Sequence, residues 1–159
     1  MEILVGNGYD LHRLVSKRDF ILGGIKVEYN KGFLAHSDGD VLFHALIDSL
    51  LGALALGDIG GHFPDKSAEY KDIDSAVLLK KTLELVIQNN ARIGNIDINV
   101  ICQAPKLAPY ILAIRENISK LTGVALNRVS VKAKTKEKVD AVGKGKAVEV
   151  FCSVLLYKD

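Results

Sequence analysis

Asp10 and His12 are two residues apart, so in an extended segment their side chains leave the same face. Alone, such a pair most often marks a polar strand end. A second segment changes that balance: Ala35-His36-Ser37-Asp38-Gly39-Asp40 leads into an apolar run carrying His44 and Asp48. Asp40, His44 and Asp48 are spaced by four, so on a helix they stack along one face. A lone histidine there is usually a satisfied core residue. Carboxylates one turn before and after it favour a metal-bound imidazole whose second nitrogen is held by an acidic partner. Asp10, His12 and His44 offer two nitrogens and one oxygen, a set suited to Zn²⁺. Three protein ligands leave the fourth position open, as catalytic zinc sites do. Asp40 or Asp48 is then expected to orient a metal-bound imidazole.

The elements that must position these residues follow from the pattern. Ile3 to Tyr9 predicts a first strand, and Phe20 to Tyr29 a hairpin turning at Gly23-Gly24. Asp40 is a natural N-cap for a helix running to about Leu56, ended by Gly57. That helix is apolar on nearly every side, which implies burial. A Gly-, Asp- and Pro-containing loop spans 58–74, and loops of that length in compact domains are usually functional. Helices are predicted from Ser75 to Asn89 and from Pro109 to Leu121, and strands from Ile96 to Cys102, Val129 to Thr135 and Val148 to Leu156. This is an α+β chain, one layered domain over 1–159 with a mixed β-sheet packed on helices. The last strand carries apolar residues on both faces, Val148, Val150, Val154 and Leu156 against Phe151 and Leu155. A second copy of the chain is expected to supply the second cover.

The bulk properties exclude several classes. The 159 residues suit one domain, which buries roughly 70% of its unfolded surface. With a net charge of +2, 6% aromatic residues and no Trp, neither a nucleic-acid nor a membrane-surface partner is expected. The longest apolar stretch, near 41–56, is broken by His44, Asp48 and Ser49, so it is not a membrane span. Cys102 and Cys152 read as packing residues in a reducing compartment, and the amino terminus has no cleavable-signal pattern. A cytoplasmic protein is expected.

The chemistry-bearing segments carry a resemblance. G-x-G-Y-D-x-H from residue 6, A-H-S-D-G-D-V at 35–41, L-G-D-I-G-x-x-F-P-D at 56–65, Q-A-P-K at 103–106 and K-A-x-T-x-E at 132–137 resemble the 2-C-methyl-D-erythritol 2,4-cyclodiphosphate synthases. The resemblance implies a homotrimer with sites between subunits, the zinc side from one and the cytidine side from the next. It implies one Zn²⁺ per subunit on Asp10, His12 and His44, with Asp10 and His12 also at the substrate. His36 and Ser37 match residues holding the methylerythritol phosphate end, His36 as a transition-state stabiliser. Asp58 and Gly60 match contacts near the sugar portions, and Phe63, Pro64 and Asp65 a mobile loop closing over the methylerythritol. Cys102, Gln103, Ala104, Pro105, Lys106, Leu107 and Ala108 match the wall of a cytidine pocket. Lys134, Thr135, Lys136 and Glu137 match the diphosphate segment, with Thr135 catalytic and Glu137 holding a second ion, Mg²⁺ or Mn²⁺.

The carboxyl-terminal stretch departs from the family pattern. Lys134 and Lys136 flank Thr135 where small hydroxyl residues are common, Val139-Asp140-Ala141 stands for a frequent Leu-Gly-Phe, and Lys144 stands for a usual Arg. Phe151 sits where a polar residue is frequent. Lysine lacks the bidentate fork of arginine, which weakens the case for an isoprenoid diphosphate bound on the trimer axis. Lys132, Lys134, Lys136 and Lys138 share one face if that segment is extended, either as a solvated edge or as phosphate contacts. Two other classes compete with a cyclase: a metal-dependent phosphohydrolase, and a non-catalytic trimeric nucleotide-binding module.

Overall fold

The computed structural model describes every residue from Met1 to Asp159. A long β1 (Glu2–Ser16) leads to the hairpin β2 (Phe20–Leu22) and β3 (Ile25–Val27) and to a short β4 (Lys31–Phe33). Then come α1 (Val41–Ala53), a single-turn α2 (Ile59–His62), α3 (Ser75–Gln88), β5 (Ala91–Ile101) and α4 (Ile111–Thr122). The chain ends with β6 (Val129–Lys134), the short α5 (Asp140–Gly143) and β7 (Ala147–Lys158). Five strands form one sheet in the order β4-β1-β7-β5-β6. Only β5 and β6 are parallel. The mixed sheet packed on helices is the α+β domain that the residue pattern predicts. No helix is long and apolar enough to cross a membrane.

Helices α1, α3 and α4 cover one face of the sheet. On that face Val148, Val150, Cys152, Val154 and Leu156 of β7 are buried, as are Ile96, Ile98 and Val100 of β5. The other face has no cover within the chain: Ile3 is 62%, Val5 64%, Tyr9 48% and Phe151 46% exposed. Tyr9 and Phe151 pack on each other there with ring centroids 4.9 Å apart.

Strand β1 is longer than the predicted segment, pairing with β7 from Glu2↔Lys158 to Arg13↔Ala147. Its second half carries Asp10, His12 and Arg13, and these polar residues hide the strand pattern that β7 nonetheless completes. The short Lys31-Gly32-Phe33 strand was not foreseen, because three residues with Lys and Gly have no strand signature of their own. Helix α1 stops at Ala53, with Ala55 in a left-handed conformation (φ 56°) rather than at Gly57.

Asp40 caps α1 as expected and does more. Its carboxylate accepts from Phe43 N at 3.1 Å and also from Gly23 N at 3.0 Å and Gly24 N at 2.7 Å. The helix start is thereby tied to the hairpin turn. Burial pushes this carboxyl up to about 6, against the pull of those backbone donors.

Gly6 and Gly8 let α1 lie directly on β1. A Cβ at Gly8 would stand 1.8 Å from the backbone oxygen of Ala45, and one at Gly6 1.9 Å from that of Ser49. No rotamer relieves a clash with helix backbone, so helix and strand must separate. Gly8→Ala should therefore destabilise the fold by about 3 kcal/mol, the upper range for overpacking, read as a lower urea midpoint.

Candidate metal and phosphate site

Because α1 lies so close to β1, a histidine on the helix reaches side chains on the strand. Asp10 and His12 leave the helix-facing side of β1, and His44 leaves the first turns of α1 toward them. The ligand atoms of all three lie within 4.8 Å of one another. His12 Nδ1 and His44 Nδ1 are each 3.1 Å from the same atom, Asp10 Oδ2.

The proton positions at His44 follow from its neighbours. Ser75, at the first position of α3, donates its backbone N–H to Asp38 Oδ2 at 3.0 Å, and its hydroxyl donates to Asp38 Oδ1 in a short hydrogen bond. A hydroxyl has one proton to give. Ser75 Oγ must then accept from His44 Nε2–H, 2.9 Å away. In the neutral ring this leaves the lone pair on Nδ1, aimed at the Asp10 carboxylate. His12 Nδ1 is buried and has no aligned hydrogen-bond partner, although Asp10 is close.

Lone pairs converging on a carboxylate oxygen repel unless a cation lies among them. Donors around a tetrahedral Zn²⁺ at about 2.0–2.1 Å stand roughly 3.3 Å apart, near the observed spacing. The donor set fits a metal ion. Without one, protons serve instead. Burial pushes the His44 imidazole down, but the hydrogen bond and charge of Asp10 outweigh it and raise its pKa. Burial pushes the Asp10 carboxyl up, yet the close approach of His12 and the hydrogen bond from His44 hold it at about 2.

Neither Asp40 nor Asp48 orients His44, which corrects the sequence-based expectation. Asp40 is taken up by three backbone N–H groups. Asp48 accepts from Ile59 N at 2.7 Å and so fixes the start of α2. A shared helix face makes side chains neighbours, but a nearer donor decides where each carboxylate turns. Ser75 with Asp38 behind it holds the ring instead, a pairing that arises only when α3 packs beside α1.

The three converging residues line a cavity of about 330 Å³, whose other walls include Arg13, His36, Ser37, Gly60, Phe63 and Asp65. Ser37 Oγ also lies 3.4 Å from His44 Nε2. The 58–74 segment is more ordered than a plain loop, with α2 and a 3₁₀ turn at Ala68–Tyr70. Phe63 is buried against Tyr70, ring centroids 5.6 Å apart. Asp58 caps α2 by accepting from Gly61 N at 2.8 Å and does not line the cavity, nor does the exposed Pro64. Arg13, Tyr70, Asp38 and Ser75 were not foreseen here. Arg13 and Asp38 had a local signal, their places directly after His12 and Ser37.

The second group of sequence-predicted residues gathers at the ends of β5 and β6. Cys102 N donates to the Lys134 carbonyl at 2.8 Å, continuing the parallel pairing. Gln103 Oε1 accepts from Lys136 N at 3.3 Å and Lys138 N at 3.2 Å. Thr135 Oγ1 donates to Glu137 Oε1 at 3.2 Å. Cys102 and Leu107 are buried, and burial pushes the Cys102 thiol up to about 12. Lys144 is exposed at the end of α5. The four alternating lysines do not share a face. Strand β6 ends at Lys134, and Glu137 (φ 50°) and Lys138 (φ 60°) turn the chain. Lys132 pairs with Asp97 at 2.7 Å, and Lys136 pairs with Glu149 and Asp140.

None of these residues lines the cavity beside His44. Strand register explains why: His12 lies opposite Val148 of β7, whose neighbour Glu149 lies opposite Ile101, itself opposite Lys134. The two groups occupy the same end of the sheet, three strand spacings or about 14 Å apart.

The model of the YgbB family matches residues 3–157. This chain belongs to that family. It is 51% identical over 154 residues to the 2-C-methyl-D-erythritol 2,4-cyclodiphosphate synthase of Fusobacterium nucleatum, spanning 97% of this chain and 96% of that protein. The synthase of Clostridium perfringens is likewise 51% identical, with 97% and 99% covered. Among solved structures, that of IspF from Plasmodium falciparum in complex with CDP superposes with a TM-score of 0.87 at 40% identity, covering 99% of this chain and 97% of that one. The bifunctional IspDF of Campylobacter jejuni gives a TM-score of 0.95 at 39% identity, covering 99% of this chain and 43% of that longer one.

The hydrogen-bond relay behind His44 makes a direct prediction. Ser75→Ala removes the acceptor that fixes the ring, so Zn²⁺ affinity should fall by about 10–100-fold in competition with a chromophoric chelator. Asp48→Asn, which touches only the α2 backbone, should leave that affinity unchanged.

Proposed function

We propose that this chain converts 4-diphosphocytidyl-2-C-methyl-D-erythritol 2-phosphate into 2-C-methyl-D-erythritol 2,4-cyclodiphosphate with release of CMP, a step of non-mevalonate isoprenoid precursor synthesis. The observation that carries this reading is the end-to-end likeness to the Fusobacterium synthase, 51% over 97% of the chain. The converged Asp10, His12 and His44 at a cavity supply the equipment such chemistry needs.

In this reaction an oxygen of the 2-phosphate forms a bond to the terminal phosphorus of the diphosphate. The bond from that phosphorus to the CMP oxygen breaks, and CMP leaves with the electron pair. A phosphate monoester with second pKa about 6 is already largely dianionic at neutral pH, so no strong general base is required. The obstacles are repulsion between anions and the in-line approach. Holding both ends of one molecule in place can lower the barrier by ~7–11 kcal/mol.

Asp10, His12 and His44 would hold Zn²⁺, and Glu137 beside Thr135 a Mg²⁺ or Mn²⁺ ion. When bound, these ions neutralise and polarise phosphoryl oxygens. His36 and Ser37 would grip the methylerythritol phosphate, with His36 donating to charge that develops there. Phe63 and Tyr70 wall the cavity and exclude water, while Gly60 and Asp65 face the sugar portion and Asp58 sets their turn. The segment from Cys102 to Ala108, with Lys106, would receive the cytidine, and Lys134, Thr135 and the backbone of Lys136, whose ammonium is held by Glu149 and Asp140, lie beside the diphosphate.

We assign the working form as a homotrimer whose active site joins the zinc side of one subunit to the cytidine side of the next. Two features of the chain support this. The outer sheet face exposes Ile3, Val5, Tyr9 and Phe151, and the two residue groups do not meet in one cavity.

Incubation with the cytidine diphosphate substrate should yield the cyclic diphosphate and CMP in equal amounts. Stripping the metal with a chelator should abolish product, and Zn²⁺ with Mg²⁺ should restore it. A linear phosphate product would mark a hydrolase, and unchanged substrate a mere binder. Sedimentation should give three chains per particle. His12→Ala and Glu137→Ala chains should each be nearly inactive alone. Mixed trimers should recover about a third of wild-type activity, because one interface in three is then intact. No recovery after verified subunit exchange would put the whole site within one chain.

A further inference from the structure

Glu149 is a buried charge with no part in the reading above. Two acidic side chains are buried in this chain, Asp40, which caps α1, and Glu149, which is 5% exposed. Glu149 lies on β7 with Leu11 of β1 on one side and Ile101 of β5 on the other. Its Oε2 accepts from the Tyr9 hydroxyl at 3.0 Å, and its Oε1 takes the Lys136 ammonium in a short ion pair. The same ammonium reaches Asp140 Oδ2 at 3.2 Å. Tyr9 precedes Asp10, and Lys136 lies between Thr135 and Glu137. One carboxylate thus bridges the strand of the metal side and the turn of the diphosphate side.

Stability alone does not account for such a pair. Burying a carboxylate against a lysine that is itself 34% exposed gains little stability, and the better-attested use of such a pair is to fix one geometry among several. The turn it holds has geometry to fix. Glu137 and Lys138 both adopt the left-handed region, at φ 50° and 60°, which non-glycine residues disfavour. Gln103 grips this turn through the backbone N–H groups of Lys136 and Lys138. Glu149 anchors it from the other side through the Lys136 side chain. Between these two anchors, the Thr135 hydroxyl and the Glu137 carboxylate are already paired at 3.2 Å. Lys136 is neutralised by two carboxylates, whereas the exposed Lys134 makes no ion pair.

We propose that Glu149 is a positioning residue that, through Lys136, holds the 135–137 turn in the conformation that receives a nucleoside diphosphate. The inference rests on the function proposed above. The test variant is Glu149→Gln, which keeps the size and an acceptor for Tyr9 but removes the charge. Hydrogen exchange at the Lys136 and Lys138 amides should accelerate about tenfold, and Kd for CDP with Mg²⁺ should rise about tenfold. Zn²⁺ stoichiometry and affinity should be unchanged. The exchanged pair Lys136→Glu with Glu149→Lys should recover CDP affinity toward wild type, as coupled residues do. A merely structural role would lower the unfolding midpoint without moving CDP affinity. Should Glu149→Gln not fold, Lys136→Gln loosens the same tie from its exposed end and reads the same quantities. Exchange and CDP affinity within about twofold of wild type would overturn the proposal. A wild-type chain that binds CDP yet makes no cyclic product sinks the functional reading instead, while the exchange comparison still decides the role of Glu149.

Discussion

Backbone-to-backbone contact between α1 and β1 is the constraint on which the rest of this molecule depends. Gly6 and Gly8 present no side chain toward the helix, so carbonyls of Ser49 and Ala45 come far closer than any Cβ would allow. Side chains that an ordinary helix–sheet spacing would hold apart can then meet. His44 reaches Asp10 across that short gap, and His12, two residues along the same strand face, joins them. Asp40 fixes the other degree of freedom by tying the start of the helix to the Gly23-Gly24 turn. The convergence of these three side chains is therefore a result of packing.

The sheet divides its labour between faces and between strands. Its inner face is a dry core of valine, isoleucine and leucine under α1, α3 and α4. The second half of β1 carries Asp10 and His12 beneath His44 of α1, while the ends of β5 and β6 carry the Gln103 and Thr135–Glu137 groups. Strand order keeps these ends three strands apart, and β7 between them supplies Glu149. Phosphate chemistry needs cationic centres at two phosphoryl groups of one substrate. In this chain the two groups proposed to meet those phosphoryls lie on separate surfaces, and a sheet face with exposed apolar side chains lies nearby.

Several buried polar groups in this fold tie distant segments together. Asp40 serves three backbone donors, and Ser75 passes the orientation of Asp38 to His44. Glu149 gathers Tyr9 and Lys136. Such groups are costly to leave unpaired, so their pairing records which segments must stay in register. The segments so tied are the ones that flank the cavity and the 135–137 turn.

The sequence by itself picked out Asp10, His12 and His44 as a candidate metal site, since Asp10-x-His12 on a strand and His44 on a capped helix follow from periods of two and 3.6 residues. It also determined the α+β class, the Asp40 cap and the hairpin at Gly23-Gly24, all of which are local patterns. It did not reveal Ser75 and Asp38 as the support of His44, because that contact joins α3 to α1 across 31 residues. Nor did it reveal the length of β1, whose polar second half becomes a strand only when β7 pairs with it. The alternating lysines illustrate the same limit. Their spacing suits one extended face, but two left-handed residues and a carboxylate arriving from β7 send Lys136 elsewhere. Local periodicity fixes where a side chain leaves the backbone. Which neighbour it meets is decided by the long-range packing that brings other strands and helices alongside.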